Sequence, residues 1–102
     1  MSDPVIQLNH STLLLRGDIT LAKARDLNEQ VEQLLAQATI DIVIDCAGIE
    51  KFDSTICVLL LTCYRTLQRQ KRQLTCINIP DALKDILKMY DLDQVLPFLT
   101  HG

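Results

Sequence analysis

The chain has 102 residues, 48% of them hydrophobic and 23% charged, and a formal net charge of −3. That is the length of one domain, spanning residues 1–102, with its own core, and the balance excludes an intrinsically disordered chain. Aromatic residues at 4%, no Trp, and basic character confined to residues 65–72 set nucleic-acid binding aside.

Residues 5–8 and 11–16 read as two short strands joined at Asn9-His10, an antiparallel edge pair. Gly17-Asp18 breaks the second strand, and Thr20 is placed to cap the first helix. Residues 20–38 form that helix, which is amphipathic. Ala24, Leu27, Val31, Leu34, Leu35 and Ala38 share one face, and Lys23, Asp26, Glu29, Gln30, Gln33 and Gln37 share the other.

Residues 40–45 are a β-branched run that suits a strand covered on both faces. A loop over 46–52 comes next, then a helix over 56–69 that opens on Asp53, Ser54 and Thr55. Each of these three carries a side-chain oxygen able to accept from the free N–H groups of the first turn, which also holds the positive end of the helix dipole. The residue types alone leave two readings open: a plain N-cap, or a hydroxyl presented for recognition or phosphorylation at the carboxyl end of a strand.

Within this helix Ile56, Leu59, Leu60, Cys63 and Leu67 make a core stripe, with Val43 of the strand and Leu59 read as core positions. Cys57, Val58, Leu61 and Tyr64 lie beyond the stripe, so its first half is apolar nearly all round, which fits burial or a partner face equally. Arg65, Arg69, Lys71 and Arg72 at its end are read as a solvated cluster matched to the helix dipole. Residues 74–79 read as a strand ended by Pro80. Asp81 caps a helix carrying Leu83, Ile86, Leu87 and Tyr90, and residues 91–99 read as a short last helix interrupted by Pro97. The order β-β-α-β-α-β-α-α predicts an α/β fold: a mixed sheet of about four strands, with helices mostly on one side.

Chemistry for catalysis is not apparent. His10 sits in a turn, His101 near the end, and no G-x-S-x-G surrounds Ser54. Cys46, Cys57, Cys63 and Cys76 show no metal-ligand spacing, and no phosphate-binding glycine loop occurs, so neither a metal nor a cofactor is expected. Asp41 and Asp45 mark the two ends of one strand and have no acid–base role. The cysteines sit in apolar runs, and no signal peptide or membrane-length segment is visible. The expectation is therefore a cytoplasmic, non-enzymatic domain without direct membrane insertion.

Three segments taken together resemble the STAS domain family: Leu15-Arg16-Gly17-Asp18-Ile19 before the first helix, Ile42-Val43-Ile44-Asp45 as central strand, and Phe52-Asp53-Ser54-Thr55 at the next helix start. The start of the second helix, with Asp53 and Ser54, and the tail Leu87-Lys88-Met89-Tyr90-Asp91-Leu92 with Val95-Leu96-Pro97 are similar to the MlaB-type branch, STAS subunits of a phospholipid ABC transporter. That resemblance implies a STAS fold and a regulatory subunit at the inner membrane, supporting outer-membrane lipid asymmetry. It would bind a cytoplasmic MlaF-like ATPase in a complex with permease and lipid-binding subunits. It also implies a partner surface of Glu50, Lys51, Phe52, Asp53, Ser54, Thr55, Val58 and Leu61, with Phe52, Val58 and Leu61 as apolar anchors. Core packing is the alternative for each of the three. The other branch, anti-sigma factor antagonists, implies a phosphoacceptor at Thr55 or Ser54; its usual Gly after the hydroxyl pair stands here as Ile56.

Overall fold

A computed structural model describes residues 3–37 and 41–94. Four strands form one sheet in chain order, β1 (Val5–Asn9), β2 (Thr12–Ile19), β3 (Ile42–Phe52) and β4 (Leu74–Ile77). β1 pairs antiparallel with β2, while β2–β3 and β3–β4 are parallel. Each parallel step is bridged by a helix, α1 (Ala24–Gln37) and α2 (Thr55–Arg69). α3 (Asp81–Met89) and a short 3-10 turn (Leu92–Gln94) come after β4. The mixed sheet with an antiparallel edge agrees with the expected topology, since a strand–helix–strand unit returns parallel.

Side-chain alternation places the core. Leu13 and Leu15 of β2, Ile42, Ile44 and Cys46 of β3, and Leu74 and Cys76 of β4 are buried on one face of the sheet. Leu27, Val31 and Leu35 of α1, the α2 stripe Ile56, Leu59, Leu60, Cys63 and Leu67, and Leu83 and Leu87 of α3 close over them in one cluster. All four cysteines are free and buried. Val43, Asp45 and Leu14, which alternate with the core residues, are only half-buried. The β-branched run over 42–45 is therefore not covered on both faces, and Val43 is not a core residue. A sheet with its helices on one side buries only every second side chain.

The largest departure from expectation is the length of β2 and β3. Residues 46–52 are strand, not loop, because β2 does not stop at Arg16 but runs through Gly17 and Asp18 to Ile19, pairing Ile19 with Phe52. The pairing steps from Leu14↔Asp45 to Arg16↔Gly48 and from Gly17↔Ile49 to Asp18↔Lys51, so β3 carries an extra residue at each step. The first bulge shifts the inward phase from Cys46 to Ile49, and the two together erase the period-two signal that would mark a strand. Asp45 Oδ1 accepts the Ala47 N–H at 3.0 Å beside the first of them. Gly17, at φ +79°, is required here: a Cβ would lie 2.3 Å from the Asp3 carbonyl oxygen.

Other boundaries shift by a few residues. The β1–β2 turn is His10-Ser11, with Asn9 opposite Thr12 and His10 at φ +57°. Thr20 makes no side-chain cap. A 3-10 turn, Leu21–Lys23, precedes α1 instead, and Lys23 N–H donates to the Thr20 carbonyl. β4 ends at Ile77 rather than 79, before Asn78 at φ +55°. α3 opens after Pro80, with Asp81 as its first residue and not its cap. Tyr90 is exposed beyond its end. The expected last helix is described only as Leu92–Gln94; its remainder, with Ile40 and Ala38, lies outside the described residues.

The basic cluster also differs from expectation. Arg65, Arg69 and Lys71 are exposed, but Arg72 is buried, and its Nη1 donates to the Leu35 carbonyl at 2.9 Å and to Gln70 Oε1. Arg72 thus serves the carbonyl end of α1, where a cation suits the dipole. Asp41 Oδ1 accepts the Gln73 N–H at 2.8 Å, and Asp45 Oδ1 also accepts from Asn78 Nδ2 at 3.1 Å. Both carboxylates are structural.

Candidate functional site

β3 ends at Phe52 and α2 begins at Thr55, so Asp53 and Ser54 are the whole connection. Asp53 N–H donates to the Ile19 carbonyl at 3.3 Å, which fastens the connection to the end of β2. The Asp53 carboxylate then divides between two elements. Oδ1 accepts the Thr55 N–H at 2.9 Å and the Thr55 hydroxyl at 2.5 Å; Oδ2 accepts the Leu21 N–H at 3.0 Å from the 3-10 turn before α1. The Thr55 hydroxyl and these N–H donors hold the Asp53 carboxyl below the usual carboxylate range, against a partial desolvation that raises it.

Of the three candidate caps, the structure uses Asp53. Ser54 stands at the N-cap position in helical geometry, makes no side-chain cap and is exposed. Its backbone contributes instead, the carbonyl accepting the Cys57 N–H at 3.0 Å. Thr55 is half-buried, with its hydroxyl engaged by Asp53.

The other expected surface residues separate into groups. Glu50 and Lys51 are exposed at the end of β3. Val58 is 54% exposed on a helix whose neighbouring Cys57 and Leu59 are 6% and 2% exposed, so an apolar side chain is left outside by its position on the helix. Thr62 Oγ1 donates to the Val58 carbonyl at 2.9 Å one turn on. Phe52 and Leu61 are half-buried and packed against the core cluster. Their burial supports a core role for part of each side chain. The polar strip Glu50 to Thr55 and Val58 thus surround the start of α2, with Phe52 and Leu61 joining it to the core.

Sequence reading missed Leu21. It is 72% exposed, and its N–H is held by Asp53. In an unbroken helix Leu21 would continue the stripe of Ala24, Leu27 and Val31; the tighter 3-10 turn rotates it outward. The available signal was the Asp18-Ile19-Thr20 stretch, rich in residues that favour caps and turns.

Chemically, the site offers a carboxylate, two hydroxyls and exposed apolar surface. His10 lies at the far strand turn, and the thiols of Cys46 and Cys63 are pushed up to about 12 by burial, so they stay protonated and unreactive. Among the described residues no group of three His, Cys, Asp or Glu side chains is placed to hold a metal, and no helix is long and apolar enough to cross a membrane.

The sequence model of the family described as "Mlab, STAS domain" matches residues 3–99. The chain belongs to the MlaB-type STAS domain family. No curated protein matches it by sequence. Solved STAS structures share its fold. An anti-sigma-factor antagonist (STAS) domain protein from Planctomyces limnophilus superposes with a TM-score of 0.75 at 13% identity, covering 99% of this chain and 92% of the other. An anti-sigma factor antagonist from Mycobacterium paratuberculosis gives 0.73 at 16% identity, over 98% and 86%. The Bacillus cell-fate determinant SpoIIAA in its phosphorylated form gives 0.68 at 14% identity, over 97% and 93%. At these identities the likeness is one of fold, and it agrees with the mixed four-stranded α/β architecture of this STAS domain.

Proposed function

We propose that this STAS domain is a non-enzymatic accessory subunit that docks onto the cytoplasmic ATPase of a phospholipid ABC transporter. It would act within a complex that also holds permease and lipid-binding subunits, peripheral to the inner membrane, in the upkeep of outer-membrane lipid asymmetry. The observation that carries this reading is the MlaB-type family match over residues 3–99. The start of α2 supports it as the docking face: Ser54 and Val58 are exposed there, beside Glu50, Lys51 and the Asp53 carboxylate. Val58 is the apolar anchor, with the exposed parts of Phe52 and Leu61 beside it.

A second reading, an anti-sigma factor antagonist switched by phosphorylation, draws support from the fold shared with SpoIIAA and the two antagonists. On this reading Ser54 presents the accessible hydroxyl, whereas the Thr55 hydroxyl must first leave Asp53.

A tagged pull-down from the native cell in mild detergent, with mass spectrometry of the partners, separates the two. Recovery of an ABC ATPase with permease and lipid-binding subunits is expected. Recovery of a kinase-type anti-sigma factor without transporter subunits overturns the first reading in favour of the second.

A further inference from the structure

The 3-10 turn before α1 is held in an unusual way. Leu21, Ala22 and Lys23 are all exposed, and none of them buries a side chain in the core. Its backbone bonds, Lys23 N–H to the Thr20 carbonyl and Ala24 N–H to the Leu21 carbonyl, shape the turn and join it to the start of α1. The Asp53 carboxylate supplies a link across the molecule, through Oδ2 to the Leu21 N–H at 3.0 Å. The other oxygen of the same carboxylate is engaged by Thr55, through its N–H and its hydroxyl.

We propose that Asp53 is a positioning residue that couples position 55 to the Leu21–Lys23 turn: the state of the Thr55 side chain decides whether the carboxylate stays turned toward Leu21. The Thr55 hydroxyl donates to Oδ1 and fixes the orientation that leaves Oδ2 facing the Leu21 N–H. Negative charge at position 55 removes that donor and repels the carboxylate at short range, so Oδ2 leaves Leu21. The turn then keeps its join to α1 but has no buried side chain to hold it against the rest of the molecule, and Leu21, the most exposed large apolar residue among those described before α1, moves relative to Val58 on α2. The coupling is a property of the free chain. Its use, changing the shape of the docking face, rests on the proposed role as a transporter subunit.

The test is amide-proton exchange by NMR on the isotope-labelled free protein, in three variants. Asp53→Asn keeps one acceptor oxygen for Thr55 and turns an NH2 toward Leu21. Thr55→Glu adds charge at a helix start that tolerates it. Thr55→Ser keeps the hydroxyl. The expected result is that Asp53→Asn and Thr55→Glu each speed exchange of the Leu21 amide about tenfold, while the Leu59 and Leu60 amides keep their rates and Thr55→Ser matches the parent chain. An unchanged Leu21 amide in Asp53→Asn overturns the link to the turn. An unchanged amide in Thr55→Glu overturns the coupling to position 55. A uniform rise through α2 shows loss of helix stability instead and overturns both. Partner recovery in the pull-down can fail without altering any of these rates, so the two proposals fall separately.

Discussion

The two ends of α2 are secured by opposite means. At its C-terminal end, Arg72 folds back beneath α1, and its guanidinium is consumed by the Leu35 carbonyl and Gln70. Arg65, Arg69 and Lys71 stay in solvent there, but Arg72 is turned inward and its cation serves the fold. At the N-terminal end Asp53 satisfies the helix start from outside the core, and leaves Ser54 and Val58 in solvent. One helix thus has an end closed on the molecule and an end left open. The open end leaves an apolar side chain, Val58, uncovered, and on the proposed reading this is the surface a partner would cover.

The contrast can be broken from its middle outward. Leu59→Asp places an unpaired charge between sheet and helix and also removes a buried Leu, a combined cost of about 5–10 kcal/mol that matches the whole stability of a domain of this size. Circular dichroism should show no cooperative melt. Val43→Asp, on the half-buried open face, should lose less and still melt cooperatively. At the closed end, Arg72→Ala strips a buried charge-assisted bond from the Leu35 carbonyl. A loss of about 2–3 kcal/mol in urea denaturation is expected, with partner binding unchanged at temperatures where the variant is folded.

At the open end the order of effects reverses. Asp53→Ala removes the acceptor for the first turn and should cost about 1 kcal/mol in the same assay. The effect is pH-dependent with a definite sign. Because the carboxyl is held below its unfolded range, its contribution is fully present above the unfolded carboxylate pKa and is lost as pH falls through the lower folded value. The parent and Asp53→Ala stabilities should therefore converge in acid and separate toward neutrality. The smallest change in stability, within about 0.5 kcal/mol, is expected for Ser54→Arg, since that side chain is exposed. The same variant should weaken capture of the ATPase partner about tenfold in a titration of purified components; unchanged affinity would move the docking face elsewhere.

Much of the fold was legible in the chain. The α1 stripe and the core stripe of α2 stand at helical spacing, and Leu27, Val31, Leu35, Ile56, Leu59, Leu60, Cys63 and Leu67 are buried as that spacing requires. The strand–helix–strand rhythm led to the parallel pairs. What escaped was written in pairing, not in pattern. The end of β3 is a strand because β2 lies beside it, and its two bulges destroy the alternation that a single segment could display. Arg72 looked like a solvated cation because nothing in its neighbours announces Leu35, 37 residues away. At the site, the Asp53-Ser54-Thr55 triplet was visible as a cap. Its division of labour was not, since Leu21 lies 32 residues from Asp53 and only folding brings the two together.

The four buried cysteines give the protein a built-in reporter of its own opening. Burial, aided by Asp45 beside Cys46 and by the neighbouring thiols around Cys63 and Cys76, keeps these groups protonated, and burial raises Cys57 as well. A thiol-directed reagent at neutral pH should therefore find nothing to label in the folded chain and four sites once it opens. Labelling kinetics, read by the mass added per molecule, time the opening of sheet and helices together: Cys46 and Cys76 clock β3 and β4, and Cys57 and Cys63 clock the two halves of α2. The same burial shields the four thiols from mild oxidants, which gain access to them only by way of an opened molecule, whereas the thioether of the exposed Met89 is open to oxidation in the folded chain.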